Sequence, residues 1–345
     1  MMSLDLRYFS SLSSLLLVAA TVAIARPSYG WGAIATALEI SQTKDNFYAQ
    51  SPPTAPEEAE VYYNRGLVRY SQGDLAGAVE DYTRAIELNP ENALIYNNRG
   101  IARVEQGDLV GAIADYTRAI EIDPNYALAY DNRGNARRNQ GDLAGAIADH
   151  TRAIELNPED SVAYDNRGIA RYNQGDIAGA IADYTRAIEL NPQDANVYYN
   201  RGNVRRNQGD IAGAIADYTR AIELNPQDVD AFNNRGVAYV EQGDLAGAIA
   251  DLSRVIELNP EFAGAYFNRG NVRVEQGDLA GAIADYTQVI ELNPEVVIAY
   301  GYRGLAYRDL QQYREALADF NRAIELGLQE AIPYRDEVLQ LLERE

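Results

Sequence analysis

No cysteine occurs in the chain. That excludes disulfide scaffolds, thiol nucleophiles, cysteine metal sites and cysteine-linked lipid anchors. The only histidine is His150, which leaves little for histidine-based catalysis or metal binding. Lysine is reduced to Lys44. Positive charge is scarce as a whole: 30 Lys and Arg face 51 Asp and Glu, a formal net charge of −21. So acidic a chain does not hold nucleic acid or an anionic membrane face through bulk electrostatics. No G-x-x-x-x-G-K loop and no H-E-x-x-H pair is present. No useful stretch alternates apolar and polar residues, so no sheet is expected.

What the chain does have is repetition. Prolines stand at 34-residue intervals, at Pro90, Pro124, Pro158, Pro192, Pro226, Pro260 and Pro294. Glycines from Gly66 to Gly304 keep the same interval. A fixed period of this size marks a stacked repeat architecture. Counted from Ala59, eight units fill 59–330. Each unit reads as two helices. In the second unit they run from about Ala93 to Gln106 and from about Leu109 to Ile122. Gly107 accepts the left-handed conformation that closes the first helix. Asp108 caps the second through its side-chain oxygen. The second helix ends at Asp123-Pro124, because the residue before a proline is pushed out of the helical region. In the fourth unit Ile177, Ala180, Ile181, Tyr184, Ala187 and Ile188 form one apolar face. A mid-helix glycine such as Gly168 costs roughly 1 kcal/mol against alanine. A close approach between helices would explain it, with Gly168 expected opposite Ala180.

The unit resembles the tetratricopeptide repeat. The resemblance rests on the aromatic at the fourth place (Tyr62, Tyr96, Tyr130, Tyr164, Tyr198, Phe232, Tyr266, Tyr300) and the glycine four residues later. It rests also on Ala78, Tyr82, Ala85 and their equivalents, and on the terminal proline. The resemblance implies a right-handed α-solenoid of about eight helix-turn-helix repeats, whose first helices line a concave groove. It implies a non-enzymatic scaffold that binds an extended peptide or a partner helix, with no cofactor. An architectural role, by self-stacking or docking on a membrane complex, is the alternative. Two departures stand out. The seventh place, leucine in the family, is arginine in all eight units, and the eleventh is arginine in six. The family's carboxylate clamp uses lysines beside an asparagine, and these repeats contain no lysine.

The sixth place is asparagine seven times: Asn64, Asn98, Asn132, Asn166, Asn200, Asn234 and Asn268. Asparagine is a poor helix former, so its recurrence asks for hydrogen-bond partners. Either each amide bridges to a neighbouring repeat, or the amides form a ladder that reads a peptide backbone. Tyr70, Arg138, Tyr172 and Arg206, further along their first helices, are the other groove candidates. Tyrosine and arginine are frequent binding anchors. For the arginines two readings stand. One is a repeated ion-pair network, in which Asp183 and Glu189 answer Arg167 and Arg171 around Arg186. The other is a basic stripe for an acidic partner. His150 takes the place of a core aromatic and is expected inside.

The ends differ from the middle. Residues 8–25 carry no charge, and Ala23-Ile24-Ala25 is an A-x-A-like cleavage signal. Residues 1–25 therefore read as a signal peptide or a membrane anchor, which implies an exported protein or one tied to a membrane. Residues 26–58, with Ser51-Pro52-Pro53, read as a linker. Residues 331–345 read as a capping helix opened by Pro333, with Val338, Leu339 and Leu342 on its apolar side.

Overall fold

The computed structural model describes residues 54–344. The signal or anchor segment and nearly all of the linker lie outside the described residues. Among the described residues there are 17 α-helices and no strand. The first helix, Ala55–Ser71, starts within the stretch read as linker. A capping box between Thr54 and Glu57 sets that start.

The chain divides into two compact units between Arg201 and Gly202. In the first unit the helix pairs are Ala55–Ser71 with Leu75–Leu88, Ala93–Glu105 with Leu109–Ile122, Ala127–Gln140 with Leu143–Leu156, and Ser161–Gln174 with Ile177–Leu190. Each first helix packs on its own partner, and Leu75–Leu88, Leu109–Ile122 and Leu143–Leu156 each pack on the first helix of the pair that follows. The second unit contains Ile211–Leu224, then Val229–Gln242 with Leu245–Leu258, Ala263–Gln276 with Leu279–Leu292, and Val297–Asp309 with Tyr313–Glu325. A 3-10 turn, Gln329–Ala331, leads into a closing helix, Ile332–Leu342. The helix Ala195–Asn207 opens the fifth repeat. Each unit is an all-α stack of helix pairs, because one pair cannot bury its apolar face alone.

Turn chemistry sets the period. Gly107 takes φ +82°. The Asp108 carboxylate then accepts from the Gly111 backbone N–H at 2.9 Å. A methyl at Gly111 would lie 2.1 Å from that carboxylate, so the cap and the glycine need each other. The eighth repeat lacks the Gly-Asp pair. There Gln311 takes φ 60°, and no side chain caps the helix at Tyr313.

The mid-helix glycine has a different neighbour from the expected one. A methyl at Gly168 would lie 2.7 Å from Cε1 of Tyr184. The glycine makes room for the ring at the twenty-fourth place, not for Ala180. The same holds at Gly66, Gly100 and Gly270 with Tyr82, Tyr116 and Tyr286, and at Gly134 with His150. These rings and the alanines around them are buried and form the core between the helices. At the closing helix Val338 is buried and Leu342 packs against the last repeat. Leu339 is exposed instead, one residue off the covered face.

Candidate functional site

The first helices carry two kinds of polar site, on different faces. The first is built on the arginine at the seventh place. Arg167 donates from Nε and Nη2 to both oxygens of Asp183, at 2.9 and 2.7 Å. Its Nη1 donates to the Thr151 hydroxyl of the preceding repeat at 3.1 Å. That hydroxyl donates onward to the Ile147 carbonyl at 2.7 Å. The Arg167 guanidinium also lies 5.5 Å from the Tyr164 ring centre. One arginine thus ties together its own second helix and the previous one. The same set recurs for Arg99, Arg133, Arg235, Arg269 and Arg303, with Ser253 replacing the threonine for Arg269. The aspartates are buried and the arginines nearly so.

The eleventh-place arginine adds a third donor to the same carboxylate, as Arg171 does to Asp183 at 2.7 Å. In the sixth and eighth repeats that place is Tyr239 or Tyr307. There the ring lies against the guanidinium of Arg235 or Arg303 instead. The arginines are therefore lattice residues, as the ion-pair reading expected. One assignment changes. Glu189 pairs with Arg186 at 2.9 Å, on the exposed outside, and does not enter the lattice. The helix geometry places Glu189 three residues from Arg186 and about one and two-thirds turns from Asp183, on a different face.

The second kind of site is the amide ladder. Asn98, Asn132, Asn166 and Asn200 each donate from Nδ2 to the fifth place of the preceding repeat. The acceptors are Tyr63, Asn97, Asp131 and Asp165, at 2.8, 2.9, 2.9 and 3.1 Å. Asn234 reaches Asn203 instead, at 2.9 Å. Asn268 is buried, and its nitrogen has no hydrogen-bond partner among the described residues. Asn64, Asn98 and Asn132 are half-buried, while Asn166, Asn200 and Asn234 are buried. At the eighth repeat Tyr302 takes the asparagine's place. Its ring meets Phe267 edge-on, with centres 5.4 Å apart. The inter-repeat contact survives there with aromatic chemistry.

The twelfth-place candidates are also brought into contact. The Tyr70 hydroxyl donates to Glu105 of the next repeat. Arg206 Nε lies 3.9 Å from Glu241, at the corresponding place one repeat on. Burial pushes the Glu241 carboxyl up, and Arg206 opposes it. Arg138 and Tyr172 gather with Asp165 around Tyr184. Burial first, and then the Asp165 charge, push the Tyr184 phenol well up, while Arg138 opposes the shift.

Sequence reading missed Glu105 and Glu241 as partners, and Asp131 and Asp165 as acceptors. The signal was present as pairs separated by 35 residues, or one repeat plus one. His150 is buried as expected, with Nδ1 2.8 Å from Asp131. Among the described residues no group of three His, Asp or Glu is placed to hold a metal ion. No described helix is long and apolar enough to cross a membrane.

Fold and lattice define a class: a helix-pair repeat protein whose repeats are joined by side-chain bonds from one to the next. Family comparison carries this further. The TPR repeat description matches 66–107, 100–141, 134–175, 168–209, 202–243 and 238–277, and the tetratricopeptide repeat description matches 267–331. The chain belongs to the tetratricopeptide repeat family, whose fold is typical of protein–protein interaction scaffolds.

A 58-residue stretch is 43% identical to human tetratricopeptide repeat protein 36, over 17% of this chain. The match spans about a quarter (27%) of that relative's length. Among solved structures, Pseudomonas aeruginosa pilF is similar in fold, with TM-score 0.55 and 17% identity. The match covers 64% of this chain and 99% of that one. A tetratricopeptide repeat protein from Parabacteroides merdae has TM-score 0.53 and 21% identity, over 72% of this chain and 98% of its own.

Proposed function

We propose that the chain is a non-enzymatic scaffold that takes an extended peptide along the first helices of its repeats. The observation that carries this is where the repeats differ. In the first helix the fourth, sixth, seventh, eighth and fourteenth places barely change. Variation falls at the second, fifth, ninth, twelfth and thirteenth places, which share one helical stripe. In the first unit the twelfth place reads Tyr70, Val104, Arg138 and Tyr172, and the ninth reads Leu67, Ile101, Asn135 and Ile169. Where the repeats stack, the third and tenth places vary only among Ala, Val and Ile. A row of unlike side chains suits a partner whose own side chains differ along its length. The amide ladder braces that row from repeat to repeat. The uncharged run at 8–25 supports work in an exported compartment or at a membrane.

Selection from a random peptide library on the full chain tests the reading. A linear motif should be enriched. The variant Y70A/R138A/Y172A should weaken it by at least about ten-fold while keeping its helical circular dichroism. The reading fails if no peptide is enriched, or if the variant binds as tightly as the parent.

A further inference from the structure

Among the described residues the first repeat leaves open a face that the later junctions of the first unit close. At the internal junctions the third and tenth places of the first helix are buried against the second helix of the preceding repeat. Ile95 and Ala102 are 2% and 0% exposed, and Ala129 and Ala136 are 0% and 1%. Ile86 packs on Ile95, Ile120 on Ala129, and Tyr116 on Ala136. Between those two places lies the seventh-place arginine, 12% exposed at Arg99, Arg133 and Arg167. In the first repeat the same three places are Val61, Arg65 and Val68. Their exposures are 54%, 51% and 38%. They lie at i, i+4 and i+7, one helix face. Two valines on an uncovered face are apolar surface built for contact.

We propose that residues 32–41 of this same chain cover that face, in the way a second helix covers it elsewhere. The segment keeps the register of the repeats' second helices. Gly32-Ala33-Ile34-Ala35 repeats the Gly-Ala-Ile-Ala at 111–114, 145–148, 179–182, 213–216, 247–250 and 281–284. Aligned on it, Ala33, Ala37 and Ile40 fall at the twentieth, twenty-fourth and twenty-seventh places. Those are places where Ala112, Tyr116 and Ala119 are buried. Leu38 falls at the place of the lattice threonine, so the seal is apolar and Arg65 keeps its pair with Asp81. Ser41 falls opposite Val61, as Ile120 lies opposite Ala129.

Reach is sufficient. Between Ile86 and the helix at Ala93 the chain bridges the same gap with the six residues 87–92. Between Ser41 and the helix at Ala55 it has the thirteen residues 42–54. The second unit shows the same solution with a different segment, where the helix Ile332–Leu342 covers the last repeat. The proposal does not depend on the peptide reading above, because the face lies on another side of the helix.

The absence of native cysteine makes the test clean. In the full chain, S41C/V61C should form a disulfide within single molecules on mild oxidation. S41C/V110C, with its second cysteine on an outward-facing residue, should not. In the cysteine-free full chain, A37E should speed hydrogen exchange through 55–71 about ten-fold and leave 263–344 unchanged. The proposal is overturned if the bond fails to form or forms equally in the control. A bond between two chains would make a second copy the occupant, and would overturn it as well. So would unchanged exchange through 55–71 in A37E.

Discussion

Arginine at the seventh place acts as a three-way connector. A planar guanidinium has five fixed N–H donors, enough for a bidentate carboxylate and a hydroxyl on another helix. Lysine, with a single ammonium, cannot make both sides of that fork, which accounts for arginine at the seventh place of all eight repeats. Arg167→Leu restores the usual family residue but leaves Asp183 buried with Arg171 as its remaining cation. Urea unfolding should show a loss on the order of 3 kcal/mol. Stability equal to the parent would return the arginines to a binding role. The lattice was half legible beforehand. Arginine against carboxylate followed from charge and recurrence, but the choice of Asp183 over Glu189 did not. That choice depends on which second-helix face turns inward, and packing decides it. At His150 the same holds. Burial was readable from the register, whereas its partner Asp131, nineteen residues back, follows from the closeness that Gly134 permits.

Helix pairs in this protein are closed by glycine in two unlike ways. At Gly107 the glycine serves the backbone, through positive φ. At Gly168 it serves the side chain opposite, a tyrosine ring that is fully buried and has nowhere to shift. Gly168→Ala should therefore destabilise by about 1–3 kcal/mol, despite the better helix propensity of alanine. Gly236 makes the contrast. Its neighbour is Leu252, 3.3 Å from an added methyl at the Cγ atom, and the flexible side chain can yield. Gly236→Ala should be near neutral or slightly stabilising. Thermal melts of the two variants check both. If the two shift alike, ring contact is not what the glycine is for. Helix positions themselves were legible to within a residue. The second helix of the second repeat is Leu109–Ile122 as expected, because Gly-Asp starts it and Asp-Pro ends it.

Within each unit the junctions repeat the same few bonds, so their titration is shared too. Tyr116, Tyr184 and Tyr286 are buried, and burial pushes their phenols well above the ordinary tyrosine range. The unfolded chain ionises them near pH 10 while the folded chain keeps them neutral. Their contribution is therefore fully present below about pH 10 and is lost as pH rises beyond it. Melting temperature should hold from about pH 7 to 9 and fall above about pH 10. Part of the tyrosinate absorbance should appear only together with loss of helical circular dichroism. Complete tyrosine ionisation with the helices intact would contradict this.

By itself the sequence determined the period, the helix ends and the identity of the core. These are local matters of glycine, aspartate, proline and spacing, and each is settled within a few residues. Only the tertiary structure decided which side chains meet across sixteen or thirty-five residues. It turned Asn98, Asn132, Asn166, Asn200 and Asn234 toward the preceding repeat, gathered the seventh- and eleventh-place arginines on one buried aspartate per repeat, and left Val61, Arg65 and Val68 uncovered by the other described residues. Those pairings depend on how one helix pair sits on the next, and the period of a sequence carries that stacking distance but not its angle.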